Sequence, residues 1–150
     1  EDIFEKVDRV IPSMLSYKTH ISKESMFNTP AVFPVYVSML TLEWLKDLGG
    51  IPFIEKVNEK KAHLLYNEID RNPLFKGFAA KEDRSIMNAT FNLVDNSLKD
   101  TFDTMWKDAQ INGLNGHRSV GGYRASMYNA LPLYSVETLV NIMQELERKA

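Results

Sequence analysis

The 150-residue chain is long enough to bury the core of one domain, and with 44% hydrophobic and 25% charged residues it is too apolar to be disordered. Its net charge of −2 argues against a general nucleic-acid or anionic-membrane surface, because both require an excess of basic residues. The absence of cysteine excludes disulfides, thiolate metal sites and cysteine nucleophiles, and is typical of a cytoplasmic protein.

The first third of the chain is predicted to contain two helices joined by a long loop. Apolar residues at helical spacing predict a helix over residues 1–10. Segment 13–30 is polar and is predicted to be an irregular connecting loop, and loops of that length are commonly functional. A wide apolar face predicts a helix over 31–48, formed by Val32, Phe33, Tyr36, Leu40, Trp44 and Leu48. This apolar run is too short to span a bilayer.

A Gly-Gly-Ile-Pro break at 49–52 is predicted to be the boundary between two domains. The two glycines are suited to the left-handed cap of the preceding helix, and Pro52 is suited to the first turn of the next one. That next helix has one apolar stripe and is predicted to end near Asp70, before Asn72-Pro73.

The remaining elements alternate between strands and helices. Alternating apolar and polar residues predict a strand over 87–93, and helical spacing predicts a helix over 98–109. A further strand is expected at 123–128, and Ser135 is a suitable N-cap for a final helix. With a short strand before residue 87, this order predicts a small two-layer α/β sandwich whose antiparallel or mixed sheet is covered on one face.

The segment most suggestive of chemistry is 116–126, Gly-His-Arg-Ser-Val-Gly-Gly-Tyr-Arg-Ala-Ser. It holds three potentially cationic side chains and three glycines, and no carboxylate occurs between Asp108 and Glu137. Arginine offers a planar fork of donors to carboxylate or phosphate, and glycine lets backbone N–H groups approach an anion. Composition and spacing leave two interpretations open: an anion-binding site, or a turn between strands with solvated arginines.

Several blocks of sequence resemble the phosphoserine aminotransferase family, whose members are class V enzymes dependent on pyridoxal 5'-phosphate (PLP). The segment 116–130 resembles the C-terminal signature of that family. Upstream, the resemblance extends to 17–20 (Tyr-Lys-Thr-His), 25–30 (Ser-Met-Phe-Asn-Thr-Pro) and 42–46 (Leu-Glu-Trp-Leu-Lys) running into Gly-Gly at 49–50. The blocks occur in the order and roughly at the spacing of the family, so the resemblance covers essentially the whole chain.

The resemblance implies the fold and the activity of a longer enzyme. It implies an aspartate-aminotransferase-like fold, PLP fold type I, in which residues 1–50 are the tail of the large PLP-binding domain and 51–150 are the small C-terminal α/β domain. The implied enzyme is a cytoplasmic homodimer of serine biosynthesis. It interconverts 3-phosphohydroxypyruvate plus glutamate with O-phosphoserine plus 2-oxoglutarate.

The resemblance also implies roles for five residues, each of which has a simpler interpretation. Arg124 would bind the substrate α-carboxylate, and could otherwise be an exposed strand arginine. His117 and Arg118 would bind the phosphate of phosphoserine across the dimer interface, and could otherwise be turn residues at the solvent edge. Asn28 and Thr29 would bind the PLP phosphate of the neighbouring subunit, and could otherwise simply cap a helix. For Asn28 and Thr29, phosphate binding and helix capping can both hold.

The lysine that carries PLP in this family is not recognisable here. None of the first three lysines, Lys6, Lys18 and Lys23, lies in the family's lysine turn. We therefore expect the chain to be the C-terminal portion of a longer enzyme and to be inactive alone, since the internal aldimine needs that amine. The rival hypothesis is a non-catalytic α/β module that binds an anionic metabolite or a protein partner. The three histidines are too scattered for a metal site.

Overall fold

The computed structural model describes residues 6, 8–118 and 121–150. The chain separates into two compact units, Glu1–Trp44 and Leu45–Ala150. The helix predicted over residues 1–10 lies largely outside the described ranges. The assignment of residues 1–50 and 51–150 to two domains of a longer enzyme stays a prediction.

The first unit contains a short helix that the sequence did not reveal. A 3-10 turn at Ser13–Leu15 leads into helix α1, Tyr17–Ser22, so segment 13–30 is not the wholly irregular loop that was predicted. The His20 ring nitrogen Nε2 lies 2.8 Å from the carbonyl oxygen of Met14, which fixes α1 against the preceding turn. A six-residue helix has too few apolar residues for its periodicity to be visible in the sequence.

Helix α2, Val32–Asp47, confirms the helix predicted over 31–48. Its C-terminal cap is also as predicted: the Gly49 nitrogen donates to the Lys46 carbonyl at 3.0 Å, and the Gly50 nitrogen donates to the Leu45 carbonyl at 2.9 Å. Both glycines have positive φ, 107° and 73°, which is the conformation that such caps require. None of the residues of α2 is buried, although most of them are apolar.

The second unit has the predicted order of helices and strands. Its elements are α3 (Ile51–Arg71), β1 (Phe75–Gly77), β2 (Asn88–Leu93), α4 (Lys99–Asp108), β3 (Tyr123–Ser126) and α5 (Leu133–Lys149). The strands form one antiparallel sheet in the order β1-β2-β3. This arrangement of helices and sheet confirms the predicted α/β fold class. No helix in the described ranges is long and apolar enough to cross a membrane.

Two element boundaries differ from their predictions. Helix α5 begins at Leu133, so Ser135 is not its N-cap but lies in its first turn, where its nitrogen donates to the Pro132 carbonyl at 3.1 Å. The last strand ends at Ser126 and not at 128, because the Tyr128 carbonyl accepts a turn hydrogen bond of 2.9 Å from the Leu131 nitrogen.

The core of the second unit lies on one face of the sheet. Residues of β2 alternate between buried and half-buried, so that the inward side chains are Ala89, Phe91 and Leu93. They pack in one cluster with buried residues of the three helices, including Leu65, Ile69, Phe102, Trp106, Leu139 and Met143. The opposite face of the sheet carries the alternate residues, among them Thr90, Asn92 and Arg124. The candidate site lies on this second face.

Candidate anion-binding site

Arg124 is the second residue of β3 and its side chain is exposed on the outer face of the sheet. Its backbone nitrogen donates to the Leu114 carbonyl at 2.7 Å, which fixes the residue on the side of β3 away from β2. Its guanidinium group makes no hydrogen bond or ion pair with any other described residue. The donors of this side chain are therefore available to a ligand.

The glycine-rich segment before Arg124 is closed by two backbone hydrogen bonds. The Gly116 nitrogen donates to the Gly122 carbonyl at 2.8 Å, and the Gly121 nitrogen donates to the His117 carbonyl at 2.8 Å. Residues 119–120 of this segment lie outside the described ranges. The two hydrogen bonds hold His117, which is exposed, above the same end of the sheet as Arg124.

A small pocket brings together two of the three predicted substrate-binding residues. It has a volume of about 110 Å³ and is lined by Phe78, Thr90, Phe91, Asn92, Gly116, His117, Gly121, Tyr123 and Arg124. None of the lining residues is a carboxylate. Arg118 is exposed and does not line the pocket. The structure thus places His117 and Arg124 at one pocket, and the substrate-binding roles of all three residues stay predictions.

A larger cavity of about 460 Å³ lies between β3, residues 109–114 and the start of α5. Arg124 is the only charged residue in its lining. The smaller pocket adds a histidine and polar strand residues to the same arginine, and is therefore better suited to an anion. Among the described residues, no cluster of three histidine, aspartate or glutamate side chains could hold a metal ion.

A buried hydrogen-bond network fixes the backbone beneath Arg124. The Tyr123 hydroxyl donates to Asp103 Oδ1 at 2.8 Å, and the Trp106 indole nitrogen donates to the same oxygen at 3.1 Å. Lys99 pairs with the other carboxylate oxygen. Burial and the Asp103 hydrogen bond both raise the pKa of Tyr123. Sequence analysis missed this network, since nothing in the chain indicates that an aspartate on one element meets a tyrosine on another.

The charged group of Asp103 is stabilised by these donors. Burial alone would raise the pKa of this carboxyl, but hydrogen bonds from Lys99, Tyr123 and Trp106 outweigh burial and hold the pKa below its usual value. The carboxylate therefore stays ionised at neutral pH. It fixes the first residue of β3 and, through it, the strand position from which Arg124 extends.

Lys61 is a fully buried lysine of α3. Its ammonium group donates to the carbonyl oxygens of Met127, Tyr128 and Leu131 at 3.1, 2.8 and 3.1 Å. Burial lowers the pKa of its amine. All three donors of the ammonium are used by backbone oxygens, so the contacts explain Lys61 as a clamp on the turn after β3 and not as a cofactor-binding amine.

The two predicted cofactor-binding residues, Asn28 and Thr29, lie just before α2 in the first unit. Both are exposed. The Asn28 amide nitrogen lies 3.4 Å from the sulfur of Met14. Within the described part of the chain, neither side chain accepts a hydrogen bond from the first turn of α2. The alternative that either residue is an N-cap therefore has no support from the geometry.

The sequence model of the class V aminotransferases matches residues 8–139, which is most of the chain. The chain belongs to this family. It is 66% identical over 149 residues to a phosphoserine aminotransferase of Flavobacterium psychrophilum, covering 99% of this chain and 42% of that protein. It is 51% identical over 150 residues to a phosphoserine aminotransferase of Porphyromonas gingivalis, with the same 99% and 42% coverage.

The chain also resembles solved structures of phosphoserine aminotransferases. The phosphoserine aminotransferase of Bacillus circulans subsp. alkalophilus matches with a TM-score of 0.83 at 38% identity, over 99% of this chain and 41% of that one. The PLP-bound phosphoserine aminotransferase of Trichomonas vaginalis matches with a TM-score of 0.77 at 33% identity, over 92% of this chain and 40% of that one. The chain thus spans less than half the length of these relatives.

Proposed function

We propose that this chain forms the C-terminal portion of a PLP-dependent phosphoserine aminotransferase. The full enzyme interconverts 3-phosphohydroxypyruvate plus glutamate with O-phosphoserine plus 2-oxoglutarate. The observation that carries the proposal is the pocket on the outer face of the sheet, where Arg124 and His117 meet without any carboxylate. The names of the relatives support the substrate class, and every substrate in this reaction is an anion.

Arg124 binds the α-carboxylate that all the substrates share. Its guanidinium is charged at any working pH and presents two parallel N–H donors to a carboxylate. Position on a strand favours this role, because β3 pairs with β2 along one edge and the Arg124 nitrogen donates to the Leu114 carbonyl on the other side. A ligand bound to it is thereby oriented relative to the rigid sheet.

His117 and Arg118 bind the distal group, which is a phosphate in one substrate pair and a γ-carboxylate in the other. A phosphate carries close to two negative charges and gains from several convergent donors. The two residues are neighbours in the segment that precedes β3, and both are exposed. This exposure is compatible with a substrate bound between subunits of a homodimer, the assembly that we propose for the cytoplasmic enzyme.

Asn28 and Thr29 contribute donors to the phosphate of PLP in the neighbouring subunit. An amide N–H and a hydroxyl are groups that phosphate accepts readily, and the Thr29 hydroxyl makes no hydrogen bond with other described residues. When bound, PLP supplies the electron sink for transamination. The residues of this chain bind and orient the substrates and the cofactor phosphate. The amine that holds the cofactor is contributed from elsewhere in the enzyme.

The test is the kinetics of the full-length protein with Arg124→Lys. A lysine keeps the charge but loses the planar fork, so kcat/KM should fall about ten- to a hundredfold for both glutamate and phosphoserine. The matched control is Arg148→Lys, which makes the same change at an exposed arginine near the end of α5 that pairs with Glu145. Unchanged kinetics with Arg124→Lys would remove this residue from the site. A wild-type enzyme without activity on phosphoserine would refute the proposed substrate.

A further inference from the structure

We propose that Thr90 is a second residue that binds the substrate carboxylate, by donating a hydrogen bond from its hydroxyl to the anion held by Arg124. This inference deepens the proposed function and rests on it. Thr90 lies on β2, more than thirty positions before Arg124 in the sequence, and belongs to none of the segments that carry the family resemblance.

The register of the sheet places Thr90 directly opposite Arg124. The Met127 nitrogen donates to the Met87 carbonyl at 2.7 Å, so positions 87 and 127 form a hydrogen-bonded pair. Because hydrogen-bonded and non-hydrogen-bonded pairs alternate along antiparallel strands, 89–125 and 91–123 are the next hydrogen-bonded pairs, and Thr90 and Arg124 form the non-hydrogen-bonded pair between these two.

Two further backbone contacts agree with this assignment. The Arg124 nitrogen donates to Leu114, and the Thr90 carbonyl accepts from the Phe78 nitrogen at 3.0 Å, so both groups point away from the β2–β3 interface. Residues in a non-hydrogen-bonded pair have Cα atoms only about 4.5 Å apart, with their side chains on the same face. The Thr90 hydroxyl and the stem of Arg124 are therefore immediate neighbours.

The surroundings of Thr90 leave its hydroxyl available to a ligand. The residue is half-buried and lines the same small pocket as Arg124 and His117. Its hydroxyl makes no hydrogen bond with any other described residue. Valine has nearly the same branched shape and is likewise favoured in strands, so strand preference alone does not require a threonine here. A hydroxyl in this position supplies one donor to a carboxylate oxygen that the arginine fork leaves partly unsatisfied.

The experiment compares Thr90→Val with Thr90→Ser in the full-length holoenzyme. Valine removes the hydroxyl and keeps the branched shape, whereas serine keeps the hydroxyl. Ser126→Ala is the matched control. It removes a hydroxyl two positions along β3 from Arg124, on the same face of the sheet, at a residue that does not line the small pocket. The readouts are the dissociation constant of glutarate, a dicarboxylate that binds without reacting, the KM and kcat for glutamate and phosphoserine, and the melting temperature.

We expect Thr90→Val to weaken glutarate binding and to raise KM for both amino acids by about tenfold, with kcat within about twofold of wild type. Thr90→Ser should restore most of the affinity, and the melting temperature should not change. Unchanged glutarate affinity in Thr90→Val would overturn the inference. So would weaker glutarate binding together with a clearly lower melting temperature, because the loss would then come from a disturbed fold. If wild type failed to transaminate phosphoserine while Thr90→Val still weakened glutarate binding, the proposed substrate would be wrong and the Thr90 contact would stand.

Discussion

Gly122 is the position at which the smallest substitution should disturb the candidate site most. Its φ is +64°, a left-handed conformation that alanine adopts only with strain. A Cβ atom at this position would overlap Oδ1 of Asn92 and would lie 2.8 Å from the carbonyl oxygen of Phe91. The Asn92 side chain can rotate away, but the Phe91 oxygen belongs to the backbone of the central strand. Gly122→Ala must therefore push the start of β3 away from β2.

Its neighbour Gly121 provides the matched control. Gly121 has nearly the same conformation, with φ of +73°, but among the described residues beyond its chain neighbours no atom lies within 4 Å of the position of its Cβ. Gly121→Ala should thus cost only the backbone strain of a left-handed alanine, about 1–2 kcal/mol. Gly122→Ala adds the overpacking of the strand, about 1–3 kcal/mol, for a total of about 2–5 kcal/mol.

Urea unfolding followed by the fluorescence of Trp106, which is 3% exposed in the core, measures this difference. All the proteins compared carry Trp44→Phe, which removes the fluorescence of the other tryptophan, in the first unit. The urea concentration at the midpoint of unfolding should fall clearly further for Gly122→Ala than for Gly121→Ala. Adding Asn92→Ala to Gly122→Ala should recover only part of the loss, since the Phe91 carbonyl remains. Equal midpoints for the two glycine variants would refute the reasoning.

Two further predictions concern buried and paired carboxylates. Tyr123→Phe removes a hydrogen-bond donor to the ionised Asp103 and should lower the free energy of unfolding by about 1.5–3 kcal/mol at pH 7. It should also raise the pH at which acid unfolds the protein, because this donor helps to hold the pKa of Asp103 low. An unchanged midpoint of acid unfolding would contradict this prediction. The Arg84 hydrogen bonds hold the pKa of Asp70 at about 2 instead of 3.8, so its stabilisation is complete above about pH 4 and is lost as the pH falls toward 2. Because this carboxylate is about a third exposed, the loss should be only about 1 kcal/mol, and Asp70→Asn should remove that part of the pH dependence in urea titrations at pH 2–6.

The order of elements from α3 to α5 was largely predictable because the longer elements repeat their patterns over many residues. The strand β2 alternates over its whole length, and α3 carries one stripe that ends at the predicted Asn72-Pro73. The errors are at short elements and at ends. Helix α1 spans six residues, and the start of α5 at Leu133 is set by a turn that Lys61 organises from another helix. Such contacts between distant residues leave no local pattern.

The presence of His117 and Arg124 at one pocket was predictable in part, because both lie in one short glycine-rich segment. The other contributors to the site were not. Thr90 faces Arg124 only through the register of two strands, and Asp103 reaches Tyr123 from a separate helix. A sequence shows which residues alternate along a strand, but the partner of each residue depends on turns and packing elsewhere in the chain.

The register of β3 decides whether the site exists at all. Tyr123 is buried, Arg124 is exposed and Ala125 is buried, so a slip of one residue would turn the arginine into the core and the tyrosine toward solvent. Two features oppose that slip. The hydrogen bond to Asp103 holds the Tyr123 side chain on the inner face of the sheet. The Phe91 carbonyl lies so close to Gly122 that this position, immediately before Tyr123, has no room for a side chain. The same contacts that stabilise the second unit therefore keep Arg124 on the outer face of the sheet, which is why we expect Gly122→Ala and Tyr123→Phe to affect substrate binding as well as stability.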